Sequence, residues 1–596
     1  MKNARLLVLW SLSYLLAATL SLYANPKSKR LELSNEYLVT GQQEQAAGNF
    51  DKALNCYSNA ARLNPNSLIA TFNVGLMLQA LTNLKGAIKA YQQAQKIDPS
   101  CAQAYYNCGV CYADLKDFAE AATYFHKALT INQTYEKAYE QLGLALKHQN
   151  KHQEAFEIYA KLLTFKPTSL VALRNCARSL AALDQLTQAI PYFEQALLQD
   201  PQHVSTLFEF ANVLNMLDRT DEALALYEIL AIRYPQSPEI LYNYAYTLKK
   251  VNRVEESIPY YQKAITLKPD YAQAHFSLAL AYLVSGDFKH GLEKYDWRWA
   301  SYNDAPKKFN KPLWDGADLT GKTIYVYAEQ GLGDTFQFIR YLKLLKEQGA
   351  TVIFETQKPL KDILQHVPYI DKLTIQGQKD LPHFDTYIPL MSIPRIMGTD
   401  LTSIPAEIPY IFADPVLVDY WKEALSHDTN FKIGICWQGN PDYRTAALRH
   451  AVAAKSMNAA TFAPLAQVPG VSFYSLQKVT GEKQLNDLPE GFVVHAFTQN
   501  FDEEHGRFMD TAAVIQNLDL MITIDTSICH LSAALGKPVW LLLPNPADWR
   551  WMLDRLDSPW YPNMRLFRQE TPGDWQGLMM TVCGALEQYV REHSAR

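Results

Sequence analysis

LMITIDTSICHLSAALGKPVWLLL, residues 520–543, reads as a buried strand, a tight turn, a short helix of small residues and a second buried strand. Leu520, Met521, Ile522 and Ile524 form a short apolar run bounded by turn formers, the signature of a strand covered on both faces. Gly536-Lys537-Pro538 ends the helix and Val539 to Leu543 resumes the apolar run, so the stretch is half of a parallel βαβ unit. Its first turn, Asp525-Thr526-Ser527, sets a carboxylate and two hydroxyls at the start of the helix, with His530 one helical turn further on. A helix amino end has unpaired N–H groups and a partial positive charge, so such a turn suits a phosphate or diphosphate. Asp525 and Thr526 also have the chemistry of simple caps, with His530 packed locally.

Outward from this unit, strands keep alternating with helices, which implies parallel sheets. Upstream, Phe431 to Trp437, Val471 to Leu476 and Phe492 to Ala496 read as strands, and Asp510 to Asn517 reads as a helix with Asp510 as its N-cap. Further upstream lie strands at Thr323 to Ala328, Thr351 to Glu355, Leu373 to Ile375 and Thr386 to Leu390, with an amphipathic helix over Phe336 to Gln348. A Pro-spaced stretch from Pro405 to Pro415 separates the two sets. The expected division is one Rossmann-like domain at 312–415 and a second at 416–596. Loops at the carboxyl ends of two such sheets enclose a nucleotide-sized site.

Two further loops face that site. Gln330-Gly331-Leu332-Gly333-Asp334 follows the first strand, and Gly331 and Gly333 permit close approach of a ligand to the backbone. Asp334 opens a helix, as a cap or as a general base that takes a proton from an attacking hydroxyl. Trp437-Gln438-Gly439-Asn440 ends a strand of the second domain, and Arg444, Arg449 or Lys455 downstream supplies a cation for a diphosphate leaving group or stays a solvated loop residue. No acidic pair has the spacing of a metal-binding transferase, so no metal is expected. A dinucleotide oxidoreductase is disfavoured by the missing third glycine and downstream acid.

The front half repeats. At a period of 34, eight units fall into register, beginning at Ser34, Leu68, Ala102, Glu136, Leu170, Val204, Pro238 and Ala272. The eighth position is always small (Gly41, Gly75, Gly109, Gly143, Ala177, Ala211, Ala245, Ala279). The twenty-fourth is always aromatic (Tyr57, Tyr91, Phe125, Tyr159, Phe193, Tyr227, Tyr261, Tyr295). Helices cross closely only where one face is small, the ring fills the space between pairs, and a closing proline ends most units. The third unit has Gln133 in place of that proline, and the last ends in Asp296-Trp297-Arg298-Trp299, placed to cap the array against the next domain. The pattern resembles tetratricopeptide repeats (TPR), which implies an α solenoid over 34–305 whose groove takes extended protein or peptide segments.

At 596 residues the chain has room for these domains, and its net charge of −5, without long runs, gives no nucleic-acid surface. Eight scattered cysteines fit reduced thiols, and Cys108 and Cys111 read as core residues despite their C-x-x-C spacing. Within residues 1–30, the run Leu6 to Ala24 is apolar and flanked by basic residues. Its length suits an uncleaved membrane anchor with the bulk of the chain cytoplasmic; the alternative is export by a signal peptide.

Gly331-Leu332-Gly333-Asp334-Thr335, Trp437-x-Gly439-Asn440-Pro441 and Asp525-Thr526-Ser527-x-x-His530, with Gly536-Lys537-Pro538-Val539, together resemble the heptosyltransferase-like glycosyltransferases of the GT-B fold (family 9-like). The back half is similar to bacterial proteins in which TPR precedes such a domain, and residues 544–561 (PNPADWRWMLDRLDSPWY) share that likeness. The resemblance implies metal-independent sugar transfer from a nucleotide-sugar donor, with no cofactor. It maps the base onto Asp334, donor binding onto Asp525, Thr526, Ser527 and His530, and a phosphate-contacting lysine onto Lys455. Tyr443 and the segment Arg444 to Ala454 depart from that subgroup's pattern, which has a histidine followed by acidic and basic residues. The competing implication is a TPR scaffold with a degenerate, inactive GT-B module.

Overall fold

The structure is a computed structural model that describes residues 26–442, 446–498 and 500–593. The expected anchor at Leu6 to Ala24 and the loop residues Tyr443 and Arg444 lie outside the described residues. The chain divides into two compact units, Met1–Leu230 and Ala231–Arg596.

The first unit is a helical TPR solenoid. Among the described residues its first element is a long helix, Pro26–Ala46, which contains the start of the first repeat at Ser34. Thereafter first helices of 13 residues alternate with second helices of 14, as in Leu68–Ala80 and Leu84–Ile97, then Ala102–Asp114 and Phe118–Ile131. The small eighth position has a direct cause. A Cβ on Gly75 would lie 2.6 Å from Cε1 of Tyr91, and one on Gly109 would lie 2.7 Å from Cε1 of Phe125. The twenty-fourth ring therefore lies against the first helix of its own pair, and it is fully buried in both repeats. Tyr91 still satisfies its hydroxyl by donating to Gln79 Oε1 at 2.9 Å.

Between the paired helices one residue per repeat takes the left-handed conformation. Glycine fills that position in the first repeat (Gly48, φ 77°). Thr82 (φ 60°), Lys116 (φ 63°), Asn150 (φ 59°) and Asp184 (φ 61°) hold it in those that follow. Where Gln133 replaces the closing proline, Asn132 Oδ1 accepts from the Thr134 amide at 3.1 Å and Tyr139 Oη donates to the Gln133 carbonyl, so the turn is kept by hydrogen bonds. Cys108 and Cys111 are free and buried, and burial pushes both thiols up to about 12, as expected of core residues.

The second unit begins with the last repeats (Pro238–Lys250, Val254–Leu267, Ala272–Val284, Phe288–Tyr295) and continues into an α/β region. Arg298 joins the two. It is 1% exposed, donates to both carboxylate oxygens of Glu329 at 2.8 Å and to Ser392 Oγ at 2.9 Å, and pairs with Asp296 at 2.5 Å.

The α/β region has two parallel sheets. In the first, β1 (Thr323–Tyr327), β2 (Thr351–Thr356), β3 (Lys372–Ile375) and β4 (Thr386–Pro389) run in the order β3-β2-β1-β4. In the second, β5 (Phe431–Cys436), β6 (Val471–Ser475), β7 (Val494–His495), β8 (Leu520–Ile524), β9 (Val539–Leu543) and β10 (Met564–Arg568) run in the order β10-β9-β8-β5-β6-β7. Every residue of β8 and β9 is buried, as the apolar runs require.

Three local expectations are corrected. The helix expected over 336–348 is two short ones, Leu332–Phe338 and Tyr341–Glu347. Between them Arg340 turns inward to donate to four oxygens, the Gln337, Pro405 and Trp560 carbonyls and Tyr410 Oη. Asp510 is not a cap: the Met509–Gln516 helix is preceded by Phe508 at φ 69°. Asp510 is instead buried and accepts from Trp421 Nε1 at 2.8 Å and from the Asp502 amide at 2.9 Å. Finally, β10 was not anticipated, because Met564-Arg565-Leu566-Phe567-Arg568 interrupts its apolar residues with arginines.

Candidate functional site

Three strand ends supply the site. β1 runs into the Gly331–Asp334 loop, β5 into Trp437-Gln438-Gly439, and β8 into Asp525-Thr526. The Leu332–Phe338 and Ser527–Ala534 helices pack together, and this brings the first and third loops face to face. A Cβ on Gly333 would lie 3.0 Å from Cδ2 of His530 and 3.5 Å from Cα of Ser527. Gly333 therefore permits a close approach of protein to protein. Gly331 has an ordinary φ of −69°, so no special backbone conformation calls for a glycine there.

Asp334 is held at both oxygens. Oδ2 accepts from the Gly331 amide at 2.7 Å, and Oδ1 accepts from Arg550 Nη2 at 2.5 Å. The same guanidinium donates to Gln337 Oε1 at 2.6 Å and to Asp548 Oδ1 at 2.9 Å. Burial pushes the Asp334 carboxyl above its ordinary range, while the Arg550 charge pulls the other way. Nearby, burial lowers the Lys249 ammonium of the seventh repeat, and Asp548 opposes that shift.

Asp525 is the hub of the facing turn. Lys455 Nζ lies 3.6 Å from one of its oxygens and His530 Nε2 lies 3.8 Å from the other. His530 is 4% exposed, and its Nδ1 is 2.9 Å from Tyr561 Oη. Burial, with the charges of Arg550 and Lys455, holds this imidazole well below its ordinary range, so it is neutral near pH 7. Tyr561 Oη in turn lies 3.3 Å from Tyr410 Oη, which accepts from Arg340.

Thr526 stands at the N-cap position but makes no side-chain cap, and its hydroxyl lies 3.8 Å from Cys436 Sγ. Ser527 is the first helical residue and half-buried. The amino end of this helix thus keeps backbone N–H groups for an anion, beside an ammonium and a neutral imidazole.

The β5 loop contributes less. The Gly439 amide donates to Ser456 Oγ at 3.1 Å, next to Lys455, and a Cβ on Gly439 would lie 3.0 Å from Val452 Cγ1. Asn440 is exposed and its Oδ1 accepts from the Asp442 amide at 3.0 Å, an Asx turn. Of the expected residues, Gly333, Lys455, Asp525 and His530 come together. Asp525, Cys529 and His530 bring potential metal ligands within 4.8 Å of one another. Burial pushes the Cys529 thiol well up and the Lys455 ammonium adjoins Asp525, so this environment disfavours a cation. Sequence reasoning missed Arg550, Asp548, Gln337, Arg340 and Tyr561. The available signal was the density of tryptophan, arginine and aspartate in residues 544–561.

Models of the tetratricopeptide repeat match residues 80–116, 102–135, 136–169, 180–245 and 245–286, so the repeats are tetratricopeptide repeats. Among curated proteins, the chain is 25% identical to Protein FlbA of Caulobacter vibrioides over 349 residues, 54% of this chain and 56% of that protein. The chain thus spans about half the length of that relative. Among solved structures, a crystal structure of MamA covers 29% of this chain and 95% of its own, at 24% identity and a TM-score of 0.28. PilF of Pseudomonas aeruginosa covers 36% of this chain and 96% of its own, at 22% identity and a TM-score of 0.30. YrrB, described as a TPR protein with an unusual peptide-binding site, covers 37% of this chain and 95% of its own, at 21% identity and a TM-score of 0.28.

Proposed function

We propose that the chain is a TPR-coupled glycosyltransferase that moves a sugar from a nucleotide-sugar donor to a protein or glycan acceptor without a metal. The observation that carries this reading is the grouping of Lys455, His530 and the uncapped 527–534 helix end around Asp525, across from the Asp334 loop. In this reading the helix N–H groups and Lys455 neutralise the diphosphate as it leaves, and neutral His530 donates or accepts one hydrogen bond without adding charge. Asp334 takes the proton of the acceptor hydroxyl, for which its raised pKa is suited. It must first release Arg550. Residues 6–24 anchor the chain with its bulk on the cytoplasmic side, where nucleotide sugars are available. Donor hydrolysis and transfer by the purified chain test the proposal: Asp334→Asn should abolish turnover with little change in donor affinity, and His530→Ala should weaken the donor.

A second reading, a peptide-binding scaffold whose α/β region is inactive, is favoured by the double engagement of Asp334 and the packing of Gly333 on His530. Capture of partners by the full chain with and without the Asp334→Asn substitution, measured alongside transfer, separates the two. Retained partners with no transfer by either protein would select the scaffold.

A further inference from the structure

We infer that a cavity at the carboxyl ends of β9 and β10 binds one sugar ring of the acceptor, which makes that acceptor a glycan. The role as acceptor rests on the transferase reading; the sugar site itself does not.

The cavity measures about 170 Å³, and its lining includes Asn252, Asn545, Met552, Asp554, Arg568 and Gln569. Parallel strands end on the same edge of a sheet, where α/β proteins bind their ligands. In the order β10-β9-β8 the Asp525 turn follows β8, and the cavity lies at the ends of the next two strands, at about 5 Å per strand. Its wall also runs into the loop of the transfer site. Ala547 lines it, and the next residue, Asp548, accepts from the guanidinium that holds Asp334.

Contacts from several segments fix the wall. Asn252, in the turn after the helix Pro238–Lys250, donates through Nδ2 to Asn545 Oδ1 at 2.5 Å, so a repeat closes one side. Asn545 Nδ2 donates in turn to the Glu570 carbonyl at 3.2 Å. Arg568 donates to the Trp551 and Arg555 carbonyls. Burial lowers its guanidinium to about 10, and Asp554 opposes the shift. Met552 stands at φ 56° and ψ −164°, a conformation that a residue with a side chain keeps only where its surroundings impose it. A Cβ on Gly286 would lie 2.9 Å from Met552 Cε, so the last repeat packs against this residue.

One group of the wall is unmet. Gln569 is 3% exposed, and its Oε1 accepts from the Asn545 amide at 3.3 Å and the Gly573 amide at 3.0 Å. Its Nε2 has no hydrogen-bond partner among the described residues. A buried donor without an acceptor is costly, and a ligand oxygen would complete it.

The mixed sign of the wall selects the ligand. Asp554 and Glu570 oppose a phosphate or carboxylate, and Arg568 opposes a cation. Pro544, Ala547 and Leu553 add apolar surface. A hydroxyl both donates and accepts. A ring with several hydroxyls therefore meets the carboxylates as a donor and Gln569 Nε2 as an acceptor, while its C–H faces meet the apolar side chains. The volume is well below the roughly 300 Å³ at which sites for drug-sized ligands begin, so it admits one sugar ring and not a nucleotide sugar.

Saturation-transfer NMR of the full chain with millimolar glucose, galactose, mannose, rhamnose or N-acetylglucosamine tests the site, with N-acetylserine amide as a peptide probe. At least one sugar is expected to receive saturation. Leu553→Trp, which fills the cavity, should remove the signal. Asp554→Ala, at an exposed residue, should weaken binding about tenfold. Nucleoside diphosphates should not displace the sugar. No signal from any sugar overturns the site, and so does a signal that both cavity variants leave intact. Saturation of the peptide probe alone overturns the glycan assignment, and displacement by a nucleoside diphosphate overturns the position by moving the sugar to the donor turn. Transfer assays on the same protein separate the two claims. Transfer without sugar binding overturns the site alone; sugar binding without nucleotide binding or transfer overturns the acceptor role and the transferase reading, and the sugar site stands.

Discussion

Arg550 meets Asp334, Asp548 and Gln337 with one guanidinium, and this geometry fixes what nearby substitutions do. Truncating one member of a buried ionic cluster leaves the others charged and unpaired, at a cost of about 3–5 kcal/mol. Arg550→Ala should therefore lower the Tm of the second unit markedly. Arg550→Lys should restore little of it, since a point charge cannot reach three acceptors. Calorimetry of the two variants checks both expectations. His530 gives a pH signature. Its folded pKa lies below the unfolded value of 6.5, so below that pH the unfolded chain binds more protons and stability falls with pH. Its contribution is fully present above 6.5 and lost on acidification. Urea unfolding above and below pH 6.5 should show a shallower loss for His530→Gln than for the parent chain. An equal loss in both would assign the acid sensitivity elsewhere. At this scale the sequence exposed Asp525 and His530, because a strand-turn-helix is readable locally. Arg550 and Tyr561 were hidden, because their partners lie far away along the chain.

Within the repeats, sequence and structure agree because the determinants are local and recur. The Gly75–Tyr91 packing says what a single methyl does. Ala in place of Gly75 forces the buried ring to move, and overpacking of this kind costs about 1–3 kcal/mol. Later repeats hold alanine at this position, so the lower end of that range is expected. Chemical denaturation of Gly75→Ala measures it. The turn before each second helix works in the opposite direction. Thr82 is β-branched and sits at φ 60°, where an L residue bears about 1–2 kcal/mol of strain, so Thr82→Gly should stabilise the first unit. No gain in Tm would mean that the threonine side chain compensates its own strain. In the α/β region the long apolar strands β5, β8 and β9 were legible, whereas β10, an arginine-interrupted strand, was not. The 336–348 helix was expected as one piece because its periodicity hides the inward turn of Arg340, which the packing of distant segments dictates.

At the scale of the molecule, the last two repeats and the α/β region form one compact unit, joined through the buried Arg298–Glu329 pair. The sequence implied this order of parts, a helical array and then parallel sheets. The loops quoted from it converge only after folding.

The central claim is that the amino end of the 527–534 helix, with Lys455 and His530, receives the diphosphate of a nucleotide sugar. Thermal unfolding of the full chain against a panel of nucleoside diphosphates and their sugar conjugates tests it most directly. A ligand in hundredfold excess over Kd stabilises by about 2.7 kcal/mol. The account predicts a rise in Tm with at least one base, lost in Lys455→Gln and reduced in His530→Ala. A Tm unmoved by every nucleotide, or a rise that both substitutions leave intact, would contradict it.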